Sequence, residues 1–287
     1  MNDMNRQKTE KVTVTRSLLQ RFAAAPYTVW AVLFIVIPLI FVAYYAFTDR
    51  DFAFTLDNIK AFFTPKYMTI LWRSVKLAVI ATVICLIIGY PAAYFIARTD
   101  PKRQKILIML LMLPMWMNFL IRTYAWMVLL QDTGVINSLL TSIGLKQMKL
   151  MYTEGAVVVG MVYDYLPYMV LPIYSIMTKL DHRLVEAASD LGCNPFGVFR
   201  KVIVPQSIPG VISGIMMVFV PSISTFYISQ KLGGGKFYLI GDAIETQFNS
   251  NNLHMAAAIS FVLMVILLAG MFIMDRFSDG GEGGLIP

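Results

Sequence analysis

The sequence predicts an all-α polytopic membrane protein that crosses the bilayer six times. Three observations carry that expectation. Of 287 residues, 57% are hydrophobic and only 14% are charged, whereas a soluble domain holds about 45–50% apolar and about 25% charged residues. The apolar residues fall in blocks of about 20, the length that spans a bilayer core. The basic residues gather beside those blocks. Together these features exclude an ordinary soluble enzyme, and 19 Phe, 14 Tyr and 4 Trp exclude a disordered chain. The excess of 24 Lys and Arg over 17 Asp and Glu would suggest nucleic acid in a soluble protein. Beside apolar blocks it reads instead as an orientation signal and as affinity for anionic lipid, so no nucleic acid partner is expected.

The elements follow in order. Residues 1–26 form a polar N-terminal segment with Arg6, Lys8, Lys11, Arg16 and Arg21. No small-residue cleavage site follows, so the first block is expected to stay attached rather than act as a signal peptide. The six spans are expected at about 27–47, 75–97, 106–130, 155–178, 207–228 and 254–275, making 27–276 the transmembrane domain. Segments on the N-terminal side of the membrane carry 14 Lys/Arg against 8 on the other side, so both termini are expected in the cytoplasm. The loop 48–74 holds Phe52, Phe54, Phe62 and Phe63. It reads as an interfacial helix or as a docking surface for an external partner. Residues 277–287 form a Gly-rich, flexible tail. Cys85 in a span and Cys193 in a loop are expected to stay unpaired.

Prolines 38, 91, 114, 167, 172, 209 and 221 lie in or at the ends of spans. A membrane helix tolerates proline where neighbours or a cavity satisfy the freed carbonyl. The stretch YLPYMVLPIY at 165–174 therefore suggests a bent helix bordering a pathway.

The most informative segment is 179–206, KLDHRLVEAASDLGCNPFGVFRKVIVPQ. Asp181 is placed to cap a short helix, Gly192 to end it, and Asn194-Pro195 to turn the chain into a second short helix ending near Lys201. Two short helices at an angle make an elbow on the inner face. Ala187 and Ala188 let it enter a groove on another protein, with Glu186 at the edge. Glu186-Ala187-Ala188, Gly192 four residues later and Ile203-Val204-Pro205 resemble the EAA loop of ABC-importer permeases, with Val204 where that family usually has Leu. FTLDNIKAFF at 54–63, IGYPAAYFIAR at 88–98, LMLPMWMNFLIRTYAWMVLL at 111–130, GMVYDYLPYMVLPIYSIMTKLD at 160–181 and FYISQKLGG at 226–234 look like the PotB-type spermidine/putrescine permeases of that family. The resemblance implies a type I importer (MetI-like) fold and a non-catalytic subunit that imports polyamines, or another small solute. It further implies that Glu186, Ala187, Ala188 and Gly192 couple to a separate ATPase. It implies four kinds of partner: a second, PotC-like permease, a PotA-like ATPase dimer carrying ATP-Mg, a PotD-like extracytoplasmic polyamine-binding protein, and membrane lipid.

No G-x-x-x-x-G-K-[ST] loop occurs, and Gly233-Gly234-Gly235-Lys236 lacks its spacing and hydroxyl, so no cofactor is expected in this chain. His182 and His254 are too far apart for a metal pair. Arg122 and Asp164 stand well inside spans, where charges normally face a partner or a watery cavity. Two readings stay open: an ion pair fixing two spans, or Asp164 facing a pathway and drawing in an ammonium group. Tyr163, Tyr165 and Tyr168 beside Asp164, and Tyr124 and Trp126 beyond Arg122, fit cation–π attraction, although belts of aromatics also mark interfaces. Phe226-Tyr227 read as an external gate or a belt pair, with Ser229 and Gln230 beside them and Glu245 placed to steer cations. A secondary transporter using Asp164 as a proton relay would need inverted repeats, and none is evident. An intramembrane hydrolase would need a G-x-S-x-G or H-E-x-x-H motif, and neither is present.

Overall fold

The computed structural model describes residues 26–279. The N-terminal segment before Pro26 and the tail beyond Asp279 lie outside the described residues. Among the described residues the chain is helical, with one isolated bridge between Thr48 and Phe54. The helices are α1 (Pro26–Ala46), α2 (Asp57–Phe62), α3 (Pro65–Ala97), α4 (Pro101–Trp116), α5 (Phe119–Leu130), α6 (Val135–Ser142), α7 (Glu154–Met177), α8 (His182–Asp190), α9 (Pro195–Ser224), α10 (Tyr227–Gly233), α11 (Ile240–Asn249) and α12 (Leu253–Asp279).

Five of these (α1, α3, α7, α9 and α12) are long and apolar enough to cross a membrane singly. The sixth crossing predicted at 106–130 is not one helix. Its residues fall on two helical segments, Pro101–Trp116 and Phe119–Ser142, which are bent by 91°. Pro114 lies in the last turn of α4, and the Asn118 side chain accepts a hydrogen bond from Leu120 N at 2.8 Å. Asn118 thus caps a new helix where an uninterrupted one was expected. By contrast, the double-proline stretch 165–174 lies within one unbroken helix, α7.

The central triad is α3, α7 and α9. In α7, 56% of the most apolar window is buried, against 6% in α1, so α7 is the core and α1 a peripheral helix whose apolar surface suits hydrocarbon. Met161, Met169 and Ile173 of α7 are wholly buried. Helix α9 packs closely on α7 because Gly210 and Gly214 share one face: a Cβ would stand 2.9 Å from Pro172 O and 2.8 Å from Met169 Sδ respectively. Small residues four apart are the usual device for close helix approach in lipid, where packing replaces the hydrophobic drive.

The loop 48–74 departs from a simple interfacial helix. Phe62 is completely buried against Tyr67, Ala78 and Ile259, while Phe54 and Phe63 are exposed. Helix α2 is short, and α3 begins at Pro65, ten residues before the predicted span.

Candidate functional site

Two regions hold the residues singled out by sequence. The first is the elbow between α7 and α9. The Asp181 side chain accepts a hydrogen bond from Arg183 N at 3.0 Å, the cap that starts α8. At the other end Gly192 N donates to Ser189 O at 2.9 Å and Cys193 N to Ala188 O at 3.1 Å. This pair of bonds is a Schellman ending, which needs a residue with positive φ. Gly192 has φ +81° and nothing within 4 Å of where a Cβ would lie. Its requirement is conformational, and the space outside it is empty.

Helix α8 buries no residue whose side chain is described. Glu186 and Ala187 are exposed and Ala188 is half-buried. Leu184 and Leu191 are also exposed, the latter at 85%, an unusual place for leucine unless something covers it. Among the described residues Glu186 makes no salt bridge. Val185 faces a cavity of about 280 Å³ lined also by Tyr94, Arg98, Gln104, Met177 and Ile203.

The predicted second short helix does not end near Lys201. Asn194 accepts from Gly197 N at 2.7 Å, Pro195 fills the first turn, and the chain runs through a π-helical turn at Phe199–Ile203 into α9. Pro205 lacks an N–H to continue the α pattern, and the wider turn just before it accommodates that loss. Phe199 wedges edge-on against Tyr90 and Tyr94 of α3 at 6.0 and 5.4 Å. The elbow therefore consists of one short helix and the rigid start of a spanning helix.

The second region lies at mid-depth and toward the other end. Arg122 Nη1 and Asp164 Oδ1 are 2.7 Å apart, with side chains 10% and 6% exposed. The contact is close but poorly aligned, so Asp164 Oδ1 and Arg122 Nε make no hydrogen bond among the described residues. The pairing read as one alternative from sequence is present. Trp126 meets Tyr163 edge-on at 5.4 Å, and Tyr165 Oη donates to Pro221 O at 3.4 Å beside Tyr168.

The predicted span 207–228 ends earlier, at Ser224. Thr225 is extended, and Phe226 then precedes a separate short helix, α10. Tyr227 consequently sits on a helix packed against α5 and α7 rather than on the spanning helix. Gln230 Nε2 donates to Glu245 Oε2, tying α10 to α11. Gly234 and Gly235, at φ +61° and +70°, form the turn expected from the glycine run.

Two residues that sequence reasoning passed over belong here. Lys231 Nζ lies 5.6 Å from the ring centroids of both Tyr124 and Tyr227. The sequence signal was the four-residue spacing from Tyr227, which places both on one helix face. Asp242 is buried, accepting from Leu239 N at 2.8 Å and facing Ser229 Oγ at 2.9 Å. Ser229 Oγ also lies 2.7 Å from Phe226 O. Ser229 Oγ thus donates its one proton toward two acceptors, Asp242 Oδ1 and Phe226 O. Burial, with the nearby Glu245 carboxylate adding to it, pushes Asp242 up to about 6 despite the bonds from Leu239 and Ser229 that oppose the rise. Its signal was only its place three residues into a helix.

The bundle is apolar, with an exposed, doubly capped elbow at one end and charged and aromatic side chains deep inside. The chain belongs to the family described as binding-protein-dependent transport system inner membrane component, which matches residues 86–280. It is 38% identical over 272 residues to the spermidine/putrescine transport system permease protein PotB of Haemophilus influenzae, covering 92% of this chain and 95% of the relative. It is 39% identical over 247 residues to PotB of Escherichia coli, covering 83% and 90%. The inner membrane ABC transporter permease protein YdcU of E. coli is 31% identical over 254 residues, 82% of this chain and 80% of that one. Among solved structures, a chain of a bacterial ABC transporter that imports the acidic polysaccharide alginate superposes with a TM-score of 0.71 at 16% identity, covering 92% of this chain and 96% of that chain. A chain of an inward-facing methionine ABC transporter gives 0.58 at 15% identity, covering 76% and 99%. These two likenesses establish the type I importer fold.

Proposed function

We propose that this chain is the polyamine-permeating subunit of an ABC importer, driven through its elbow by a separate ATPase. The observation that carries the coupling role is α8. It is amphipathic, fixed at both ends by caps, and presents Glu186, Ala187 and Leu191 to the outside, a surface built for a partner rather than for this chain. The likeness to PotB proteins supports spermidine or putrescine as cargo.

In this reading the elbow and both termini lie in the cytoplasm, and α10 and α11 face the outside. Residues 27–276 form the permease, and 277–287 a tail. A PotA-like ATPase dimer supplies ATP-Mg and receives α8. A PotC-like permease closes the pathway beside this chain, and a PotD-like binding protein delivers the polyamine. The chain itself performs no hydrolysis. ATP can shift the inward–outward balance only through differential affinity for the two states, which resides in the ATPase dimer.

Along the pathway, Phe226, Tyr227, Gln230 and Glu245 meet the cation at the outer end. Tyr124, Trp126, Tyr163 and Tyr165 offer ring faces, worth about 0.5–2 kcal/mol per ammonium. Asp164 holds Arg122 and offers negative charge at mid-depth. The test is uptake of radiolabelled spermidine by proteoliposomes containing the full complex and binding protein. ATP-dependent accumulation that Glu186→Arg abolishes supports the reading; uptake indifferent to ATP or to Glu186→Arg overturns it.

A further inference from the structure

The outer end already contains a primary ammonium. Lys231 stands one turn after Tyr227 on α10, and its Nζ lies equally over Tyr227 and over Tyr124 from α5, at 5.6 Å from each ring. An ordinary interfacial lysine seeks a carboxylate or water. Here three carboxylates of this region have other partners: Glu245 takes Gln230, Asp242 takes Ser229 and the Leu239 N–H, and Asp164 takes Arg122. Among the described residues no carboxylate comes within 4.0 Å of Lys231 Nζ. The two rings come from different helices, α5 and α10, and converge on the same Nζ.

We propose that Lys231 is a tethered mimic of the cargo. It occupies the Tyr124–Tyr227 clamp when no substrate is there and yields it to one ammonium of an incoming polyamine. This rests on the polyamine reading. Its consequence is selectivity. Exchanging one primary ammonium for another on the same rings is nearly even in free energy, so a monoamine gains nothing from the clamp. Only a ligand with a second ammonium, held elsewhere along the pathway, gains net affinity. Lys231 is thus a specificity-determining residue that favours diamines and longer chains.

The experiment is residue-resolved acetylation of lysines in the assembled complex in proteoliposomes, read by peptide mass spectrometry, with no amine, butylamine or spermidine. Lys236 rests on a different ring, Tyr152, at 5.5 Å, and the ratio of Lys231 to Lys236 labelling cancels consumption of reagent by free amine. The ratio should rise about two- to fivefold with spermidine, the worth of an exposed cation–π contact, and stay flat with butylamine. Lys231→Gln should lower the half-saturating concentration of polyamine-loaded binding protein by a similar factor, and Lys231→Arg should not. A flat ratio while the same vesicles take up spermidine overturns the tethered-mimic role and leaves polyamine import standing. Vesicles that take up no polyamine overturn both.

Discussion

The two ends of this bundle put polar residues to opposite uses. At the elbow, α8 keeps Leu184, Glu186 and Ala187 outward, and it is held by local bonds, its two caps and Ser189 Oγ donating to Val185 O. At the other end several polar groups are engaged within the chain: Asp242 with Ser229 and Leu239, Gln230 with Glu245, and Ile240 N donating to Ser74 Oγ at 2.8 Å. One end is stabilised by caps and left free to be grasped. The other is knotted together by bonds that substitutions will break. Function without stability should be lost at the first, and stability itself at the second.

The largest effect is expected at the elbow. Glu186→Arg should cut ATP-driven uptake at least about tenfold while the melting temperature of the purified subunit hardly moves, since exposed substitutions stay within about 0.5 kcal/mol. Gly192→Val should also cut uptake, and because it forces a β-branched residue into positive φ at a local cost of about 1–2 kcal/mol, it should lower the melting temperature slightly. A melting temperature that falls in step with uptake would erase the contrast between the ends.

Next comes the buried pair. Asp164→Asn strands Arg122 in the bundle interior, and losing one partner of such a pair costs about 3–5 kcal/mol. Thermal unfolding in detergent should show that loss, Arg122→Gln should show a similar one, and the double variant should recover part of it. Additive losses would mean that the two charges act separately. A further drop in uptake by the stable double variant would assign Asp164 a role toward the cation as well.

The smallest effect concerns pH. Asp242 is raised to about 6 by burial, above the unfolded value of about 3.9. A raised carboxyl favours the protonated fold, so its contribution is complete below pH about 4 and is lost as pH rises through about 6. Wild type should therefore melt lower at pH 8 than at pH 5. Asp242→Asn copies the protonated acid, with Nδ2 donating to Ser229, and should reduce that difference. An unchanged difference would remove Asp242 as its source.

How much of this was legible in the sequence depended on range. Blocks of apolar residues marked the spans, and two charges well inside them, Arg122 and Asp164, left an ion pair open as one of two readings, the one the structure shows. The elbow was legible because its caps are local: Asp181, Gly192 and Asn194 each act within a few residues. The break at Met117–Asn118 was hidden because apolar residues run through it, and only Pro114 and Asn118 betray it. The helix end placed near Lys201 erred in the other direction, since a π turn leads into Pro205 and the helix continues. Lys231 over Tyr124 was beyond reach: the two are joined only by how α10 folds back against α5.

The central claim is that energy enters this chain from a partner through α8. The most direct test reconstitutes the single polypeptide in liposomes under a pH gradient, and in parallel the full complex with binding protein and ATP. Concentrative spermidine uptake is expected only from the full complex and only with ATP. Gradient-driven accumulation by the single chain would contradict the claim and identify a secondary transporter instead.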